Sequence, residues 1–406
     1  MSWEKAKFGS LFSTPTRNGV YKNKEAHGEG VKIVNMGEIF GYDFIGNQEM
    51  QRIVMSENEM KVSGLQENDL LFARRSLVES GAGKASIVLG LSEPTTFESS
   101  IIRVRLNSEN CFPLFYFYWL RSHAGRTAIG ALVTGTNVKG IRGSALKDID
   151  VDYPDIDTQR RIADVLMTYD NLIENNQKQI KLLEEAAQRL YKEWFVDLRF
   201  PGWENTKIVD GVPEGWKKKT VSDIGQVITG KTPTTSRKEY YDGEIPFVTI
   251  PDMHDTIYPI HTERTLSSEG ANSQKGKLIP IDSIMVSCIA TVGLVNISLT
   301  DCQTNQQINS IILKDKEMLY YTYCSMKRIK ALLDGVGSNG ATMTNVNKSK
   351  FENIEVLLPP TKLQQMFYDF CAPIFGNIKA LSFSIDNAKQ ARDRLLPKLM
   401  SGELEV

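Results

Sequence analysis

A long heptad pattern governs how this chain can fold. In residues 158–198, apolar or near-apolar side chains recur at alternating steps of four and three residues, and no glycine or proline interrupts them. This spacing is typical of a coiled-coil helix. Such a helix would be longer than about 50 Å and cannot be buried alone in a compact domain, so it needs a partner helix. The seam residues are Ile162, Leu166, Tyr169, Ile173, Asn176, Ile180, Leu183, Ala187, Leu190 and Trp194.

The partner helix is encoded in the same chain, because the pattern recurs 205 residues later. Pro154 and Gln159, which flank the start of the first helix, return as Pro359 and Gln364. A repeat of this period predicts two copies of one unit, each a globular domain followed by a long helix. The repeated seam is Phe367, Cys371, Ile374, Ile378, Leu381, Ile385, Ala388, Arg392, Leu395 and Leu399.

The predicted fold class is α+β, with two globular mixed α/β domains separated by two long antiparallel coiled-coil helices. The second domain starts where the first helix ends and finishes where the second helix begins, so the helices should run antiparallel and be related by a pseudo-twofold axis. The domains are then expected at opposite ends of the helix pair. The predicted boundaries are 1–153 and 200–358 for the domains, and 154–199 and 359–406 for the helices.

Residues 205–358 repeat the plan of the first domain with different loops. The offset between matching segments falls from 213 near the start of the domains to 205 near their end. Because loops on a shared scaffold usually carry recognition, the two domains are predicted to recognise different targets. The matching segments are Trp3 and Trp216, residues 69–73 and 282–286, residues 136–138 and 344–346, and residues 146–151 and 351–356.

Composition and charge narrow the class of protein. The 406 residues are 41% hydrophobic and 24% charged, as in ordinary soluble proteins. The formal net charge of −1 is unusual for an isolated DNA-binding domain, so DNA contact would need local basic patches or positively charged partners. The longest apolar run, residues 111–120, contains a proline and is too short to span a membrane, so a cytoplasmic location is expected. Five cysteines without a CxxC pair predict buried free thiols.

Several motifs resemble one known family. Residues 159–166 read QRRIADVL, residues 172–197 read LIENNQKQIKLLEEAAQRLYKEWFVD, and residues 394–404 read RLLPKLMSGEL. The second domain adds GVPEGW at residues 211–216 and GKTPTTSRKEYYDGEIPFV at residues 230–248. Over essentially its whole length the chain resembles the specificity (S) subunit of a type I DNA restriction-modification enzyme, although the first domain matches less closely than the second.

The resemblance implies a function and a set of partners. In that family two target recognition domains each read one half of a split, asymmetric sequence in double-stranded DNA, and the paired helices bind two methyltransferase subunits. S-adenosylmethionine would be bound by those methyltransferases, and ATP and Mg by a motor-nuclease subunit that joins for restriction. The chain itself would be a non-catalytic subunit of this restriction system, with no cofactor, metal or membrane partner of its own.

The residues themselves offer no catalytic motif. A methyltransferase that acts on DNA would need an Asn/Asp-Pro-Pro-aromatic segment, but the only Pro-Pro pair, residues 359–360, follows Leu358. The sequence GAGKAS at residues 81–86 imitates a phosphate-binding loop, yet Val78 stands at its first glycine position and Ala85 at its Ser/Thr position. The four histidines lack metal-ligand spacing. Catalysis is therefore expected to come from partners.

Candidate DNA contacts are the side chains that suit base edges. Arg and Lys pair with guanine and Asn and Gln with adenine, while short hydroxyls assist. A run of three lysines, residues 217–219, is predicted to be a solvated face. Candidates in the first domain are Arg17, Asn18, Arg74, Arg75, Lys84, Asn137, Lys139 and Arg142. Candidates in the second are Lys231, Thr232, Thr234, Thr235, Ser236, Arg237, Asn305, Gln306, Gln307, Asn339, Thr344, Asn345 and Lys348.

Two seam positions depart from the repeat, since Asn176 corresponds to Leu381 and Ala187 to Arg392. A buried asparagine can fix the register of a coiled coil, and a solvated edge position is the alternative interpretation. Arg392 is expected to extend its guanidinium to water rather than pair in the core.

Two other functions fit parts of the sequence. One is a protein-interaction adaptor whose coiled coil only tethers its domains, and the other is an enzyme with an unrecognised site. A steep loss of affinity on raising salt would distinguish DNA binding from the adaptor, because neutralising phosphates releases counterions.

Overall fold

The computed structural model describes residues 3–21, 23–328 and 345–406. The chain divides into two compact units. Unit 1 is Met1–Asn171 together with Ala388–Val406, and unit 2 is Leu172–Asn387. Each unit contains a globular part and a section of both long helices. Among the described residues, no helix combines the length and apolar content that a membrane span needs.

The two long helices are Ile156–Tyr191 and Thr361–Met400, as the heptad pattern predicts. The first continues into a π-helical turn, Lys192–Val196. The second forms in spite of Pro373 and Pro397, each of which lacks the N–H that a helix interior uses. The predicted seam residues of both helices are all buried or half-buried. Their packing stabilises the second helix against the two prolines.

Both long helices begin with the same contact. The side-chain amide of Gln159 donates a hydrogen bond to the carbonyl of Pro154 (2.8 Å), and that of Gln364 donates to the carbonyl of Pro359 (2.6 Å). Both glutamine side chains are buried. The contact ties the extended residue before each helix to its first turn, so the repeat seen in the sequence is also a repeat of local structure.

Within unit 2 the two helices pair antiparallel. The Asn176 amide donates to the Ser384 hydroxyl (3.0 Å), while the rings of Tyr191 and Phe367 lie 6.2 Å apart. Asn176 is 4% exposed. The structure therefore favours the buried, register-fixing interpretation of Asn176 over the solvated one.

Unit 1 is built around a five-stranded sheet, and residues of this sheet share a core cluster with the helix Pro113–Arg121 and with Ile162 and Leu166 of the first long helix. The strand order is Phe12–Asn18, Ile101–Leu106, Leu70–Ala73, Ala85–Val88, Phe44–Ile45. A three-stranded sheet has the order Arg52–Ile53, His27–Val34, Thr95–Phe97. Two-stranded sheets pair Lys5–Lys7 with Asp150–Asp152 and Arg75–Ser76 with Lys139–Gly140. The shorter helices are Met36–Gly41, Glu57–Ser63, Pro113–Arg121, His123–Gly130 and Gly143–Leu146.

Unit 2 has a similar plan, with fewer strands among its described residues. Its larger sheet has the order Gly225–Thr229, Ile308–Leu313, Ile284–Ser287, Val295–Ile297. A three-stranded sheet has the order Arg264–Leu266, Tyr241–Val248, Gln303–Thr304. Two-stranded sheets pair Lys217–Thr220 with Glu355–Leu358 and Ile208–Val209 with Val212–Pro213. The shorter helices are Val221–Ile224, Ser268–Asn272, Leu319–Met326 and Lys348–Glu352.

Backbone hydrogen bonds confirm the repeat and its changing offset. The amide of Phe8 donates to the carbonyl of Ile149 (2.8 Å), and that of Val221 donates to the carbonyl of Ile354 (3.0 Å). These pairs differ by 213 residues at the donor and 205 at the acceptor. The fold is thus the predicted α+β class, and the five cysteines are buried free thiols as expected.

Two predicted matches between the domains are wrong in register. The sequence pairs residues 69–73 with 282–286, but Asn68 and Asp282 are the equivalent residues, because both have a positive φ (68° and 61°) at the same turn. Asn and Asp both tolerate this left-handed conformation. Aligning the acidic residues of the two segments therefore places the match one residue out of register.

The match of residues 136–138 to 344–346 is also wrong. The amide of Ile141 donates to the carbonyl of Arg74 (3.0 Å), and that of Val346 donates to the carbonyl of Cys288 (2.8 Å). Ile141 and Val346 are therefore equivalent, at the offset of 205. The shared Thr-Asn-Val letters are a local coincidence that backbone pairing overrules.

Candidate nucleic-acid interface

A polar turn in unit 2 joins its two sheets. The turn, residues 305–307, follows the strand Gln303–Thr304 and leads into the strand Ile308–Leu313. The amide of Gly230 donates to the carbonyl of Ile308 (3.1 Å), and the amide of Asn305 donates to the carbonyl of Val248 (3.1 Å). A Cβ on Gly230 would lie 2.2 Å from the carbonyl oxygens of Thr304 and Asn305. Only glycine lets the backbone approach the turn this closely.

Unit 1 contains the same backbone frame around residues 98–100. The amide of Gly19 donates to the carbonyl of Ile101 (3.2 Å), and the amide of Glu98 donates to the carbonyl of Val34 (3.0 Å). A Cβ on Gly19 would lie 2.1 Å from the carbonyl oxygen of Phe97. We name residues 98–100 turn 1 and residues 305–307 turn 2. The two turns share their main-chain geometry and differ in their side chains.

Turn 2 presents three carboxamides that are held by hydrogen bonds. The Thr232 hydroxyl donates to Oε1 of Gln306 (2.8 Å), and Nδ2 of Asn305 donates to Oε1 of Gln307 (3.0 Å). The amide of Gln307 donates to Oδ1 of Asn305 (3.0 Å). Asn305 is buried, Gln307 is half-buried and Gln306 is exposed. Asn305 therefore supports the turn, while Gln306 is its accessible amide.

Further predicted residues lie beside turn 2. The amide of Lys231 donates to the carbonyl of Thr304 (2.9 Å), and Asn345 forms a β-bridge with Ile289. That bridge adjoins Cys288, whose amide donates to the carbonyl of Gln307 (2.8 Å). The structure thus brings Lys231, Thr232, turn 2 and Asn345 together.

Predicted residues of unit 1 gather around turn 1. The amide of Arg74 donates to the carbonyl of Ser100 (2.9 Å), and its Nη1 donates to the carbonyl of Ser99 (3.4 Å). Arg75 pairs with Gly140, and Lys139 pairs with Ser76. Arg17 and Asn18 end the strand that leads into Gly19, and both are exposed.

The remaining predicted residues make their observed contacts away from the turns or are exposed. The Lys84 ammonium donates to the carbonyl of Phe40 (2.8 Å), and burial lowers its pKa. Nη1 of Arg237 donates to the Tyr240 hydroxyl (2.7 Å), and Lys348 pairs with Glu352 (3.4 Å). Five more are exposed, and their side chains form no hydrogen bond or ion pair with the part of the chain that the structure describes: Asn137, Arg142, Thr234, Thr235 and Ser236. Asn339 and Thr344 lie outside the described residues.

The sequence did not single out a cluster of arginines beside Arg17. Arg103 lies opposite Arg17 in the sheet and is 5% exposed, and its Nε has no hydrogen-bond partner among the described residues. Burial lowers the pKa of Arg103, and the charge of Arg105 lowers it further. Arg105 itself forms an ion pair with the fully buried Asp69 (2.6 Å). In the sequence, the arginine cluster is indicated only by the apolar and basic residues that alternate along the strand Ile101–Leu106.

A buried ionic triad links the globular part of unit 1 to the sections of the two long helices that belong to this unit. The Tyr118 hydroxyl donates to Oδ2 of Asp170 (2.6 Å), and Asp170 also pairs with Arg392. Burial raises the pKa of Tyr118, and the charge of Asp170 adds to this shift. Burial alone would lower the pKa of Arg392, but its hydrogen bond to Asp170 raises it overall. The expectation that Arg392 extends to water is therefore wrong, because a carboxylate on the facing helix satisfies it.

Unit 2 has a different arrangement at the equivalent tyrosine. The Tyr323 hydroxyl donates to Oε1 of Glu184 (2.6 Å), and Glu184 pairs with Lys327 (3.0 Å). Burial raises the pKa of Tyr323, and the charge of Glu184 raises it further. Ala187 and Phe375 stand where unit 1 has Arg392 and Asp170, and both are fully buried.

The long helices also carry exposed apolar side chains within unit 2. Leu182 is 65% exposed and Phe370 is 52% exposed. They line a groove of 480 Å³ with Leu190 and Ile374. Leu182 also borders a second groove of 660 Å³. Apolar surface of this kind marks a protein-interaction site more often than a bare solvent face.

The part of the chain that the structure describes contains no group of three or more His, Cys, Asp and Glu side chains able to hold a metal ion.

Comparison with known proteins defines the class. A profile of the type I restriction modification DNA specificity domain matches residues 2–185 and 213–381, once in each half of the chain. The two matches and the repeated fold define a DNA specificity protein with two such domains. The chain belongs to this family, which confirms the resemblance seen in the sequence.

Individual relatives cover almost the whole chain. The HindI specificity subunit of Haemophilus influenzae is 30% identical over 92% of this chain and 94% of its own length. The MjaIX specificity subunit of Methanocaldococcus jannaschii is 26% identical over 97% of this chain and 90% of its own. The crystal structure of a type I S subunit from M. genitalium has the same fold, with a TM-score of 0.60, 15% identity, and coverage of 98% of this chain and 96% of that one.

Proposed function

We propose that this chain is the non-catalytic subunit that selects the DNA sequence in a type I restriction-modification complex. Each globular domain reads one half of a split, asymmetric target in double-stranded DNA. The observation that carries this proposal is the shared backbone frame of the two turns, which presents serines and Arg74 in unit 1 but carboxamides in unit 2. One frame with two sets of base-reading side chains suits two unlike half-sites.

The near-neutral net charge fits a subunit that shares DNA binding with others. A formal charge of −1 gives little long-range attraction for phosphates. The positive charge is local instead, in Arg74, Arg75 and Lys139 near turn 1 and Lys231 near turn 2. The partner subunits are proposed to supply the remaining phosphate contacts.

The long helices are proposed to dock two methyltransferase subunits, which bind S-adenosylmethionine. Exposed Leu182 and Phe370 and the two grooves beside them support this role, since a subunit that worked alone would gain nothing from exposing them. A motor-nuclease subunit that uses ATP and Mg would join for restriction. All catalysis would then lie outside this chain.

Deleting the gene tests the proposal directly. In a host that carries the gene and its partners, single-molecule sequencing should show one split, asymmetric motif that loses its methyl groups on deletion and regains them on complementation. The motif lost would give both half-sites at once. An unchanged map in a host whose methyltransferase subunit is expressed would contradict the proposed function.

Shortening both helices tests whether they set the spacing of the half-sites. Removing one heptad from each, residues 174–180 and 380–386, deletes facing segments that include Asn176 and Ser384. The helices shorten by about 10 Å, which corresponds to about three base pairs of DNA. We expect a changed spacer length or loss of methylation, with both half-sites unchanged. Methylation of the original motif at its original spacing would show that the helices do not act as a ruler.

A further inference from the structure

We propose that turn 2 recognises an adenine in the half-site of unit 2 through Gln306, and that Arg74 with turn 1 occupies the equivalent reading position in unit 1. This inference rests on the proposed function and assigns one residue to one base.

The frame that the two turns share consists of main-chain hydrogen bonds and close main-chain contacts. Gly19 and Gly230 each donate a backbone hydrogen bond to the first residue of the next strand, and each lies against the carbonyl oxygens at the start of its turn. The following residues, Val20 and Lys231, repeat the equivalence by donating to Phe97 (2.8 Å) and Thr304 (2.9 Å). Side chains on the turns can therefore change without moving the backbone.

Gln306 has the donor and acceptor pattern that adenine requires. Its Oε1 accepts a hydrogen bond from the Thr232 hydroxyl (2.8 Å), which orients the amide. The second lone pair of Oε1 and both Nε2 hydrogens have no partner among the described residues. Adenine offers an N6 donor and an N7 acceptor in the major groove, and a carboxamide can engage both at once.

Unit 1 offers different chemistry at the same place. Arg74 is the equivalent of Cys288, because the amides of both donate to the last residue of their turn, Ser100 and Gln307. Cys288 is buried, whereas Arg74 is half-buried. The Arg74 guanidinium thus lies beside turn 1, whose side chains are those of Glu98 and two serines. A guanidinium matches the two acceptors of guanine. The two units are built to prefer different bases at this position.

The test replaces Gln306 and reads the methylated motif of the host. Gln306→Ala should relax the requirement for adenine at one position of one half-site by about 10- to 100-fold, the range expected for one bidentate contact. The other half-site and the spacer should not change. Gln306→Arg should move the preference at that position from adenine toward guanine. The matched control is Gln226→Ala, an exposed glutamine on the strand Gly225–Thr229 of the same sheet, which should leave the motif intact.

Each outcome decides the point. If Gln306→Ala and Gln306→Arg both leave the motif unchanged, turn 2 does not read a base. If both abolish methylation at every site because the chain no longer assembles with its methyltransferases, Gln306 serves assembly rather than reading, which also overturns the proposal. A motif that loses its methylation on gene deletion but is unchanged in both Gln306 variants contradicts only the role of turn 2. A methylation map that is unchanged on gene deletion contradicts the proposed function on which this inference rests.

Discussion

Replacing Asp170 by alanine should reduce the free energy of unfolding of unit 1 by about 3–5 kcal/mol. Asp170 is 5% exposed and accepts hydrogen bonds from Tyr118 and Arg392. Without it, the Arg392 guanidinium is left without its buried counter-charge and the Tyr118 hydroxyl loses its acceptor. Urea denaturation, followed by circular dichroism, would measure the shift in midpoint at unchanged slope.

Two further variants separate the effect of the buried position of Asp170 on stability from the effect of its charge. Asp164→Ala removes an exposed carboxylate from the same helix and should change stability by less than about 0.5 kcal/mol. Replacing both Asp170 and Arg392 by leucine removes both buried charges and should restore most of the lost stability. Equal effects of Asp170→Ala and Asp164→Ala would show that the triad does not anchor unit 1.

Gly230→Ala should destabilise unit 2 by about 3 kcal/mol and disrupt reading of its half-site. The added Cβ would lie 2.2 Å from the carbonyl oxygens of Thr304 and Asn305. These are backbone atoms at the start of turn 2, so the turn must move to relieve the clash. We expect methylation in the host to fall at all sites, because recognition of one half-site is lost, and thermal unfolding of the purified chain to begin earlier.

Gly376→Ala is the matched control for that change. Gly376 lies in the second long helix, is exposed, and a Cβ there would meet nothing within 4 Å. Alanine should stabilise the helix by up to about 1 kcal/mol and leave methylation intact. If Gly230→Ala is as harmless as Gly376→Ala, the close backbone approach at turn 2 is not required for recognition.

The long helices and the repeat could be predicted because heptad spacing and a constant offset leave a strong periodic signal. The repeated proline and glutamine positions mark the start of both helices, and the structure adds that each glutamine donates to the carbonyl of that proline. Short matches between loops were less reliable. The shared Thr-Asn-Val sequence gave a wrong match between the domains, because three identical residues carry no information on backbone pairing.

The site could be predicted only where its chemistry was visible in the residue type. Asn305, Gln306 and Gln307 stand out as amides, and the structure gathers them in one turn. Ser99 and Ser100 could not be found in this way, because serines occur throughout polar loops and their sequence shares nothing with turn 2. Arg392 was misjudged because its partner, Asp170, is 222 residues away in the sequence.

The two tyrosines that buttress the helices have a consequence for how such proteins diversify. Tyr118 and Tyr323 are 205 residues apart, and each donates to a carboxylate on the first long helix, Asp170 or Glu184. A domain acquired by recombination at either position would find an acceptor already in place, provided that it kept its tyrosine. New DNA targets can therefore be acquired by exchanging one module, while the helix that receives it stays unchanged.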